Sequence, residues 1–179
     1  MEQIYAASQK LHAAGIQVGF FLQFGYPGET LEDIRRTFQM VRDCAPDDIG
    51  VSVSYPLPGT RFYEAVRMEL GEKQNWDDSS DLAMLYQGPF STAFYRQLHS
   101  LLHHDFRLRK AWRRLRGPAP EGSRWDSLWA LSRLASNLFA LPFDWIRLKF
   151  LAKRSPQGIN RILPHMPASR AASPTIQER

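Results

Sequence analysis

The residues best placed to do chemistry lie in two turns. The first is Gly25-Tyr26-Pro27-Gly28-Glu29-Thr30 and the second is Ser54-Tyr55-Pro56-Leu57-Pro58-Gly59-Thr60. Glycine lets the backbone approach a ligand closely or take a positive φ, and proline stiffens the loop. Each turn ends in a threonine suited to cap a helix, where free amides favour polar or anionic groups. Glu29 is a candidate ligand contact, and is equally suited to sit on the helix dipole as an acidic first-turn residue. Pro58-Gly59-Thr60 reads as a turn plus a cap. His99 and His103 have the i, i+4 spacing of metal ligands. No glutamate precedes the second histidine in the metalloprotease pattern, and neither His104 nor any other residue stands out as a third ligand. A surface or half-buried pair is therefore expected. Cys44, the one cysteine, reads as a small buried hydrophobe. A single thiol permits no intrachain disulfide and cannot hold an iron–sulfur cluster or a structural zinc.

The elements that must position these turns follow from periodicity. Ile4, Ala7, Leu11 and Ala14 share a helix face, with Gly15 as its C-cap. No capping residue precedes that helix, as expected of a chain cut from a longer protein. Ile16–Phe24 reads as a strand apolar on both faces apart from Gln17 and Gln23, the pattern of a strand covered on both sides. Thr30 caps the next helix, with Asp33 in capping-box position. Leu31, Ile34, Phe38 and Val41 form its inner face, and Pro46 ends it. Ile49–Tyr55 is a second strand. Thr60 caps a third helix, with Phe62, Tyr63 and Val66 inward. Two strand–loop–helix junctions imply a parallel α/β sheet, in which ligands bind at the loops after the strand ends.

Four parts are expected: βα units over 1–90, a basic amphipathic helix over 91–116, an aromatic-rich helical extension over 117–154, and a disordered tail over 155–179. Gly117-Pro118-Ala119-Pro120 reads as a linker, and Pro142 interrupts the extension. In the 91–116 helix, Phe94, Leu98, Leu101, Leu102, Phe106 and Leu108 oppose a stripe of arginine and lysine. Residues 1–95 carry 7 Lys/Arg against 13 Asp/Glu, and residues 96–179 carry 16 against 5. The basic half suggests an anionic neighbour. The aromatic segment 125–154, flanked by Arg147, Lys149, Lys153 and Arg154, suits either a packing role or a membrane interface. No signal-peptide pattern is present, and no apolar run reaches the ~20 residues of a membrane span. A cytoplasmic location is expected, with peripheral membrane contact as the variant. No specific nucleic-acid binding is expected.

The order AGIQVGFFLQFGYPGETLEDIRRT…VSVSYPLPGTRFYE resembles the C-terminal half of the radical SAM barrel, in the subgroup that often carries a cobalamin-binding domain. The match covers residues 1–70, and the two turns lie about 30 residues apart. The resemblance implies a partial (β/α)6 TIM-like barrel. It further implies a 4Fe–4S cluster held by three cysteines, S-adenosylmethionine on its unique iron, and a 5′-deoxyadenosyl radical from reductive cleavage. Ile16–Phe24 and Ile49–Tyr55 would be the fifth and sixth strands. Phe24, Gly25, Gly28 and Glu29 would lie beside the cofactor, and Ser54, Tyr55, Pro56 and Leu57 would contact adenine. Two departures stand out. Glu29 falls four residues after Gly25 rather than three, and the Cys-x-x-x-Cys-x-x-Cys loop is absent. The chain alone is therefore expected to bind neither the cluster nor the cofactors stably. It would depend on a missing N-terminal barrel half, from the same gene or a separate chain. The alternative is a non-catalytic docking module or remnant that binds a partner chain or an anionic membrane surface.

Overall fold

The computed structural model describes residues 2–70, 82–116 and 141–154, the side chains at 115 and 116 excepted. Residues 71–81 of the expected 71–90 loop, the linker, the part of the expected helical stretch 123–152 that precedes 141, and the tail from 155 lie outside the described residues. The described elements are α1 (Glu2–Ala13), β1 (Gly19–Phe24), α2 (Leu31–Cys44), β2 (Asp48–Val53), α3 (Arg61–Leu70) and α4 (Thr92–Arg116). A fifth helix, α5, runs through residues 141–154. The class is α/β.

β1 and β2 pair in parallel, with Gly19 opposite Asp48 and Phe24 opposite Val53. The Ser54 amide donates to the Phe24 carbonyl at 2.6 Å and carries the contact one residue past the ladder. α2 is the crossover. Thr30 caps it, with the side chains of Thr30 and Asp33 each bonding the other's backbone amide. Its inner face is Ile34, Phe38 and Val41 as expected, joined by Met40 and Cys44. It ends at Ala45, which takes a left-handed conformation (φ 48°), just before Pro46.

The strands are shorter than their apolar runs. Ile16–Val18 lie outside β1, because the opposing chain there is the αL residue Ala45 and Pro46, which lacks an N–H. The first ladder pair forms only at Asp48. Val18 is held instead by Asp47, whose carboxylate takes the Val18 amide at 2.8 Å. β1 is also not covered on both sides. Leu22 and Phe24 are buried, while Phe21 is 96% exposed and lies over Gly50 of β2. One sheet face, comprising Leu22, Phe24, Ile49 and Val53, packs into the core; the other, carrying Phe21, Gln23 and Ser52, is open.

The main core joins the inner sheet face to α2, α4 and α5 through Phe38, Phe94, Leu98, Leu101, Leu102 and Leu148. α4 supplies its expected apolar stripe as far as Phe106, with Tyr95 added, whereas Leu108 is half-buried and outside the core. Burial of its ~6 large side chains is the main stabilising term, each contributing roughly 2 kcal/mol. Polar contacts fix the register of α4 on α2. Asp105 is buried and takes Arg42 in a fork (3.1 and 3.3 Å) and Arg109 at 3.0 Å. α1 differs from expectation. Its apolar face is exposed at Ile4 and Leu11, and it meets α2 through Tyr5 and Ser8. Periodicity identifies a helix here but not the side that packs. A smaller cluster joins Val66 and Leu70 of α3 to Leu85 and Tyr86, with Tyr55, Phe62 and Met84 against it.

Candidate functional site

The two turns follow the C-terminal ends of the paired strands, so the fold places them side by side. Gly25 has φ +84°, a conformation that favours glycine, and is buried. Its amide donates to Glu29 Oε2 at 3.0 Å. Tyr95 of α4 donates its hydroxyl to the same oxygen at 3.0 Å. The Tyr86 hydroxyl donates to the Gly25 carbonyl. Both backbone groups of Gly25 and one oxygen of Glu29 are thus engaged by this chain's own groups.

Burial dominates the electrostatics of this knot. It pushes the Glu29 carboxyl from 4.5 up to about 7, against the lowering effect of the bonds from Gly25 and Tyr95. Near pH 7 Glu29 is poised between a neutral and a charged form. Burial and the neighbouring Glu29 also raise the Tyr86 and Tyr95 phenols, which remain protonated donors.

The remaining expected site residues fall in three settings. Phe24 is a core residue under the turn. Gly28 and Glu29 line a cleft of ≈ 490 Å³ with Thr30, Leu31 and Arg35 of α2, Pro89 and Phe90, and Lys149, Ala152 and Lys153 of α5. This cleft lies between the start of α2 and α5. The second turn does not reach it. Ser54 and Pro56 are buried, Tyr55 is half-buried against the α3 cluster, and Leu57 is 54% exposed. The Thr60 hydroxyl donates to the Leu57 carbonyl at 2.7 Å and accepts from the Tyr63 amide at 3.1 Å.

Met84, Tyr86 and Tyr95, which no motif marks, decide the environment of the first turn. A Cβ on Gly25 would meet Met84 Sδ at 3.1 Å and Tyr95 Cζ at 3.4 Å. Tyr95 had a legible signal, since it shares the helical stripe of Leu98 and Leu102. Met84 and Tyr86 sit in irregular chain, where periodicity is silent.

The other candidates settle into packing roles. The His99 and His103 rings lie 4.3 Å apart, both half-buried, and burial lowers the His103 pKa. His104 Nδ1 pairs with Asp144 Oδ2 at 2.7 Å and helps hold α5 on α4. Cys44 is buried in the core, and burial raises its thiol. No cluster of three or more His, Cys, Asp or Glu suited to a metal occurs among the described residues. With one cysteine in the sequence, the donor set does not fit a 4Fe–4S cluster. For an adenosine group the fit is partial: Tyr55 and Leu57 offer apolar surface, whereas Gly25 is occupied internally. No helix of the described residues is long and apolar enough to cross a membrane.

Comparison with known protein families, with curated proteins and with solved structures finds no match.

Proposed function

We propose that this chain supplies the last two βα units of a radical SAM-type barrel, with the adenosine side of its S-adenosylmethionine site. One observation carries the reading: among the described residues, the sheet has two parallel strands, with one face in the core and the other open. Parallel strands occur with both faces covered, and a two-stranded sheet has unpaired edges on both sides. Phe21, 96% exposed on that face, is a side chain in want of a covering layer. In a closed barrel the open face would point inward, and the helices would form the outer ring. The cluster would belong to another part of the barrel. Tyr55 and Leu57 would offer apolar contact to adenine, and Glu29 would position the first turn through Gly25.

Reading the genomic sequence upstream of the Met1 codon tests the proposal. The expected result is three closely spaced cysteines, in frame or in an adjacent gene. Their absence from both places would remove the catalytic reading. The rival, a non-catalytic docking module, draws support from the first turn, whose polar groups are already used by Glu29, Tyr86 and Tyr95.

A further inference from the structure

α5 has two apolar faces. Leu148 and Ala152 are buried against the core, with Leu141 and Trp145 packed beside them. On the opposite side Phe143, Ile146 and Phe150 are 73%, 66% and 51% exposed. Their i, i+3, i+7 spacing puts them in one stripe. The 3.6-residue turn sets Arg147 and Arg154 along one edge of that stripe and Lys149 and Lys153 along the other. All four cations are exposed. The Arg154 guanidinium lies 4.0 Å over the Phe150 ring. Asp144, the acid within 141–154, is on the packed flank, tied to His104 and to Gln97, both at 2.7 Å. The outward face is therefore an apolar ridge between two rows of positive charge.

We infer that this face of α5 docks on an anionic phospholipid surface, with the helix axis in the membrane plane. Charge complementarity selects the occupant. An apolar ridge alone would suit many partners, but cations on both edges, with no acid on that face among the described residues of α5, match a field of phosphate and carboxylate headgroups. The basic excess of residues 96–179, 16 Lys/Arg against 5 Asp/Glu, adds long-range attraction of the same sign. Phe143 and Phe150 would sink to the headgroup–acyl boundary, about 10 Å apart along the axis. Lys149, Ala152 and Lys153 border the cleft at Glu29, but the ridge of Phe143, Ile146 and Phe150 and its Arg147/Arg154 edge lie outside both that cleft and the open sheet face. The inference is thus independent of the proposed function.

Vesicle flotation of the full chain tests it. The probes are phosphatidylcholine vesicles and phosphatidylcholine vesicles with about 25% phosphatidylserine. Bound protein floats and aggregated protein sinks, so poor solubility does not mimic binding. The expected result is flotation with the anionic vesicles and little with the neutral ones. The triple variant F143S/I146S/F150S should lose more than about tenfold in partitioning. The variant R147E/R154E should lose at least about fivefold for each cation removed. It keeps the ridge intact and carries the test if the triple variant misfolds. No flotation with anionic vesicles, equal binding to neutral ones, or binding unchanged in R147E/R154E would overturn the inference. A dimer in analytical ultracentrifugation that R147E/R154E leaves intact and F143S/I146S/F150S dissociates would assign the ridge to a second copy and also overturn it.

Discussion

Gly25 and Gly59 hold nearly the same backbone conformation, φ +84° and +83°, in turns that each lead to a threonine cap. Their surroundings differ. Gly25 is buried under Met84 and Tyr95, whereas a Cβ at Gly59 would meet nothing within 4 Å. The first turn has a half-buried carboxylate tied to Tyr95, and the second is exposed from Leu57 to Arg61. The conformation of each turn is set locally by glycine, proline and threonine. The difference in burial is imposed by residues 84–95, which come from far along the chain, enclose Gly25, and touch the second turn at Tyr55 but leave Gly59 open. The same local device is thus a core feature in one place and a surface connection in the other.

The largest test of this contrast is a matched pair of substitutions. Gly25→Ala combines a disfavoured positive φ with crowding against Met84 and Tyr95, and should destabilise by about 3 kcal/mol. Gly59→Ala carries only the conformational part, about 1 kcal/mol. Denaturant unfolding of the two variants reads the difference, and equal losses would mean that the cover over Gly25 contributes nothing.

A smaller effect concerns pH. The folded Glu29 carboxyl titrates near 7 and its ordinary value is 4.5. Between those values the folded state holds more protons than the unfolded state. The contribution of Glu29 to stability is therefore full below pH 4.5 and is lost as pH rises through 7. Allowing for partial exposure, the change is about 2 kcal/mol. Glu29→Gln should remove it. The stability of the wild type minus that of the variant should fall by that amount between pH 4.5 and 7. A difference that stays flat, or rises with pH, would contradict the burial of this carboxyl.

The smallest effect should be the same in both turns. Thr30→Ala and Thr60→Ala each remove a solvent-exposed cap and should each cost about 1 kcal/mol. A markedly greater loss at Thr30 would show that burial of the first turn extends into its cap.

The sequence was most legible where local chemistry decides. The capping box at Thr30 and Asp33, the inner face of α2 and the apolar stripe of α4 follow from spacing alone. It was least legible where a distant segment decides. Ile16–Val18 are apolar enough for a strand, but the chain opposite offers Ala45 and Pro46. Ile4 and Leu11 have helical spacing, yet Tyr5 and Ser8 make the contact. Asp105, an acid within a basic helix, is the buried anchor for Arg42 and Arg109, and nothing in its spacing marks it as such. In the site, Glu29 is legible from its turn and Tyr95 from the α4 stripe as an apolar-face residue, whereas their pairing depends on how α4 packs over the first turn.

The open sheet face is the centre of the functional account, and Phe21 reports on it directly. Benzoylphenylalanine can replace Phe21 in the native host, followed by irradiation and mapping of the crosslinked peptide. A crosslink to a segment carrying the Cys-x-x-x-Cys-x-x-Cys loop, or to a βα unit beside it, is the predicted result. No crosslink from position 21, or one only to lipid or to residues within 1–179, would contradict the barrel reading.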